Sequence, residues 1–62
     1  MATLEQIVKE YGMAVDYMDP NTGNIYRLTD AIDDGEGNLF IPVTASYGDS
    51  TLLGYAKIQK QD

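Results

Sequence analysis

Apolar residues recur along this chain with two different periods. Leu4, Ile7, Val8 and Tyr11 follow the i, i+3, i+4, i+7 spacing of one helical face. Thr3-Leu4-Glu5-Gln6 has the form of a capping box, and Glu5 lies near the positive end of the helix. Gly12 stands where a helix commonly ends in positive φ. The pattern predicts a helix over about 3–11, too short to persist in water unless it docks on something.

From residue 13 onward the period shortens to that of strands. Asp19-Pro20-Asn21-Thr22-Gly23 is turn chemistry, with Pro20 presetting one corner and Gly23 able to take positive φ. The stretch of Tyr17, Asp19, Pro20, Thr22 and Gly23 resembles the hairpin of the designed miniprotein chignolin, which implies a turn shape and nothing about activity. If Asp19 faces Asn24, Met18 meets Ile25, Tyr17 meets Tyr26, Asp16 meets Arg27 and Val15 meets Leu28. One face then holds Val15, Tyr17, Tyr26 and Leu28, and the other an opposite-charge pair, Asp16 with Arg27.

Asp30-Ala31-Ile32-Asp33-Asp34-Gly35-Glu36-Gly37-Asn38 marks a second hairpin. A loop at 34–37 sets Ile32 opposite Leu39, Leu28 opposite Val43 and Tyr26 opposite Ala45, which keeps one face apolar with only Asp30 out of pattern. A shorter loop at Asp34-Gly35 sets Asp30 against Leu39 and is rejected on that pattern. Gly48-Asp49 suits a two-residue turn. Ala45 then faces Leu52, Val43 faces Gly54, Ile41 faces Ala56 and Leu39 faces Ile58. Gly54 and Ala56 are small, leaving room for the helix to cross there, while the tail from Lys60 to Asp62 is expected to fray.

The expected architecture is therefore α+β in a single domain over 1–62. One N-terminal helix packs on a four-stranded antiparallel β-meander, with strands over about 13–18, 25–33, 38–46 and 51–59. A small β-barrel is the alternative. Pro42 resists an internal strand because it removes a ladder donor, so its strand should be an edge or carry a bulge.

The run Leu39-Phe40-Ile41-Pro42-Val43 is apolar on both faces, and Leu52-Leu53 continues that character. Such runs mark strands covered on both sides, and one helix covers only one. Phe40, Pro42, Leu53 and Tyr55, with Met18 and Ile25 toward one end, are left on the outer face as a candidate apolar interface.

Composition narrows the chemistry. Apolar residues make up 44% of the chain, too many for a disordered polypeptide. A chain of 62 residues buries a marginal core, and without cysteine it has no disulfide to reinforce it, which points to self-association. Neither Cys nor His is present, so the usual nucleophile–base pairs and soft metal sites are excluded. No enzyme activity, cofactor or metal is expected. An EF-hand starting at Asp30 fails because Ile32 and Ile41 would occupy oxygen-donor positions. Gly35 and Gly37 do not have the spacing of a phosphate loop.

Ten acids against four bases give a net charge of −6, which disfavours direct contact with nucleic acid or an anionic membrane and favours a basic protein surface. Asp30, Asp33, Asp34 and Glu36 form the one dense acidic cluster and are the candidate partner-binding acids. The expectation is a small acidic protein-binding module in the cytoplasm, an inhibitor or adaptor for a basic or nucleic-acid-handling protein. In type alone, with no shared motif, such chains are similar to phage-encoded inhibitors of host enzymes. The alternative is a structural protein whose outer face builds a homodimer or larger assembly.

Overall fold

The structure, a computed structural model, describes residues 3–59. It is an α+β arrangement of one helix on an open, antiparallel sheet, so the barrel alternative is set aside. In chain order the elements are α1 (Leu4–Tyr11), β1 (Tyr17–Met18), β2 (Ile25–Tyr26), a 3-10 turn (Leu28–Asp30), β3 (Ile32–Asp33), β4 (Asn38–Ser46) and β5 (Asp49–Gln59). The tail expected to fray lies outside the described residues.

The capping box forms as its sequence requires. The Gln6 amide donates to Thr3 Oγ1 at 3.2 Å, and the Thr3 amide donates to Gln6 Oε1 at 2.8 Å. Gly12 ends the helix at φ 73°, its amide reaching the Val8 carbonyl at 2.8 Å. Ile7 enters a core cluster with Leu28, Leu39, Ile41 and Ile58, and Leu4 and Val8 pack against it. Tyr11 does not join them. It stands on the last turn of an eight-residue helix and is 60% exposed.

The first hairpin keeps its expected register, Tyr17 opposite Tyr26 and Met18 opposite Ile25. The Asp19 amide donates to the Asn24 carbonyl at 2.9 Å, and the Gly23 amide to the Asp19 carbonyl at 2.8 Å. The two tyrosine rings lie 6.0 Å apart and pack against the core cluster. The strand expected over 13–18 shrinks to two residues, and Val15 is exposed rather than on the inner face. The opposite chain turns into the 3-10 segment at Leu28, which leaves 13–15 no ladder to join. Asp16 instead ties that segment down: Thr29 Oγ1 donates to Asp16 Oδ1 at 3.0 Å, and Arg27 Nη1 sits 3.7 Å from Asp16 Oδ2.

The long second strand expected over 25–33 is broken. Its two ends, β2 and β3, pair with the same side of β4, at Tyr26 opposite Val43 and Ile32 opposite Phe40. Leu28–Asp30 loops out between them. The break falls beside Pro42. The Pro42 carbonyl accepts the Arg27 amide at 2.8 Å, so it points toward β2. The amide and carbonyl of one strand residue point the same way. A residue with an amide at 42 would therefore aim a donor into the gap, and proline has none. β4 is thus an internal strand that carries proline because its neighbour leaves the sheet there. The irregularity expected at Pro42 lies across the ladder rather than within its own strand.

Two turns differ from expectation by one residue. The Asp34 amide donates to the Asn38 carbonyl at 3.2 Å, so the loop is Gly35-Glu36-Gly37 and Ile32 faces Phe40 instead of Leu39. A three-residue hairpin with glycine at positive φ is a common solution, and Gly37 takes φ 92°. The last turn is Tyr47-Gly48, with Ser46 opposite Asp49. From Asn38 opposite Gln59 to Val43 opposite Gly54 the expected register holds. Irregularities then restore the count, and Leu52 faces Thr44 rather than Ala45.

Candidate binding surface

The acidic cluster resolves into two kinds of carboxylate. Asp33 and Asp34 build the loop. Asp33 Oδ1 accepts the Gly35 amide at 2.8 Å. Asp34 Oδ1 accepts the Glu36 amide at 2.7 Å and the Asn38 amide at 3.2 Å, while its Oδ2 accepts the Asn38 side chain at 2.9 Å. The Asn38 side-chain bond, followed by the Glu36 amide, holds the Asp34 carboxyl below the usual carboxylate range, and Lys57 adds a smaller pull in the same direction. Asp30, at the end of the 3-10 turn, and Glu36, at the loop tip, are exposed, and neither contributes its carboxylate to these bonds. Among the described residues no group of three or more acids is placed to hold a metal ion. The short reach between an Asx side chain and amides two residues on explains the geometry: these aspartates face their own loop.

The ladder partners assign the outer face. Phe40, Pro42, Thr44 and Ser46 alternate on one side of β4, opposite Lys57, Tyr55, Leu52 and Asp49 of β5. On the other flank Ile25 stands opposite Thr44 and Ile32 opposite Phe40, with Met18 opposite Ile25 in turn. Phe40, Pro42 and Tyr55 of the expected interface are therefore brought together. Pro42 and Tyr55 are direct neighbours, and Lys57 Nζ lies 6.0 Å from the Phe40 ring centroid, within reach of a cation–π contact. Leu53 is different. It is the extra residue where Val43 pairs with Gly54 and Thr44 with Leu52, and it is 54% exposed.

Three members of this face were missed by the sequence reading of the site. Ile32 and Leu52 reach it only through the shifted turns, and each is about half exposed, at 53% and 50%. Thr44 is buried beside the fully buried Ile25, and its hydroxyl has no hydrogen-bond partner. The signal for Ile25 was present in its pairing with Met18. The signal for Ile32 was not, since one residue of loop length decides its face. No described helix is long and apolar enough to cross a membrane.

Comparison with known protein families, curated proteins and solved structures finds no match.

Proposed function

We propose that this chain is an acidic, non-enzymatic protein-binding module, an inhibitor or adaptor that docks on a partner with a basic surface. The observation that carries this reading is the outer sheet face. Met18, Ile32, Leu52 and Tyr55 are each at least half exposed there, around Phe40 and Pro42. The acidic loop begins one residue after Ile32, at the rim of that apolar patch. An apolar centre with an acidic loop along one rim suits a partner that is steered in by charge and held by desolvation. The cysteine-free composition suits a cytoplasmic setting.

The test separates charge from contact. Asp30→Lys with Glu36→Lys changes the two acids that do not hold the loop, and Tyr55→Ala removes an apolar contact. Immobilised wild-type chain and both variants are challenged with lysate of the source cell and eluted with a salt gradient. The proposal expects basic proteins on the wild type, eluting at moderate salt. They should bind more slowly to the charge-reversed variant and leave Tyr55→Ala faster. Identical profiles on all three surfaces overturn it.

A further inference from the structure

β5 is the longest edge of the sheet among the described residues. β5 runs eleven residues and, among the described residues, pairs with β4 alone. At the other edge, β1 and β3 are two residues each. A long edge presents a row of unpaired amides and carbonyls and is a template for strand addition.

The charge on β5 indicates what fits there. Asp49 and Lys57 are its two charged residues, opposite in sign and each four positions from Leu53. Both lie on the outer face, opposite Ser46 and Phe40 of β4. We propose that β5 pairs antiparallel with β5 of a second copy, about a two-fold axis at Leu53. In that register Asp49 of each copy meets Lys57 of the other, Thr51 meets Tyr55, and Leu53 meets its twin. Such an interface is isologous, with the same residues serving both sides.

A basic strand fits this edge less well than a second copy does. The chain carries a net charge of −6, but the edge carries none of the excess, because Asp49 and Lys57 balance. The acids that would draw a basic partner sit in the loop beyond β3. Asp49 already accepts the Thr51 amide at 3.0 Å and the Thr51 hydroxyl through the same oxygen, Oδ1. Lys57 lies over Phe40 and makes no ion pair within 4 Å among the described residues. Pairing through the edge leaves the outer face open and joins two copies of it into one wider sheet. This inference does not depend on the basic-partner reading, since it concerns the purified chain alone.

Three measurements test it. Sedimentation equilibrium of the purified chain should show a dimer, and a folded monomer at millimolar concentration overturns the proposal. Lys57→Asp and Asp49→Lys should each weaken the dimer by on the order of tenfold, counting two symmetric pairs per interface. The double variant should restore it. A dimer that is indifferent to the single changes, or not rescued by the double, overturns the register. The chain has no cysteine, so Leu53→Cys introduces the sole thiol. Under mild oxidation it should crosslink two copies much faster than Glu10→Cys on the exposed side of α1, and equal rates overturn the axis at Leu53.

Discussion

The two faces of the sheet are built from one strand and end in different states. On the inner face, Leu39 and Ile41 of β4 meet Ile7 from α1, Leu28 from the 3-10 turn and Ile58 from β5, and all are buried. On the outer face, Phe40 and Pro42 come from the same strand and are equally apolar, but α1 packs on the opposite side, against Leu39 and Ile41. Burial there is confined to Ile25 and Thr44, while Met18, Ile32, Leu52 and Tyr55 stay half exposed. Apolar character along a strand therefore does not settle burial. The supply of covering elements does, and the described residues provide one α-helix.

The largest expected effect measures how far Ile25 makes a second core. Ile41→Ala should destabilise the fold by about 2–5 kcal/mol in denaturant unfolding, because the side chain is fully buried in the main cluster. Ile25→Ala should cost a similar amount although it lies outside that cluster. A cost below about 1 kcal/mol would show that its burial carries no packing energy, and the contrast between the faces would become complete. Thr44→Val comes next. It replaces an unpartnered buried hydroxyl with a methyl group, and a gain of roughly 1 kcal/mol in the same assay is expected. A loss would mean that the hydroxyl is satisfied in solution. Tyr55→Ala should change stability by no more than about 0.5 kcal/mol, as for a surface position, and its effect should appear in binding instead.

The smallest expected effect concerns acid. Hydrogen bonds lower the carboxyl pKa of Asp34, chiefly from the Asn38 side chain, and that of Asp49, chiefly from the Thr51 side chain. A lowered folded-state pKa contributes stability that is fully present above the unfolded value, about 3.9. It is lost as pH falls through the lowered one. Amide resonances of Glu36 and Thr51 should therefore titrate with midpoints below the ordinary aspartate range. Midpoints at or above that range would show that the loop bonds do not form.

The sequence made the helix, its cap and the first hairpin legible because each rests on local chemistry. Thr3 with Gln6 and Asp19 with Pro20 and Gly23 specify their geometry within a few residues. The register from Leu39 to Val43 against Gly54 to Ile58 was legible from alternation. The shifted turns were not. Asp34 and Asp49 look like loop residues by type, but each is more useful at the loop's edge, where its carboxylate accepts amides two residues on. Pro42 announced an irregularity without saying which strand would carry it. The same limit applied to the candidate site. The four acids were visible, but the use of Asp33 and Asp34 in holding their own loop depends on hydrogen bonds that composition does not show.

The break beside Pro42 also bears on how the chain finds this arrangement. β3 zips onto β4 from the acidic loop and stops after Phe40, while β2 joins at Val43 with its register offset by three residues. One nucleation event cannot set both ladders, so two separate closures are needed. β3 closes onto β4 across the Gly35-Glu36-Gly37 loop, whereas β2 must close across the whole span from Arg27 to Pro42, which makes the β2 ladder the entropically costlier of the two. A chain with the β3 ladder formed and the β2 ladder slipped would hold Leu28 outside the core cluster until the β2 ladder reopened.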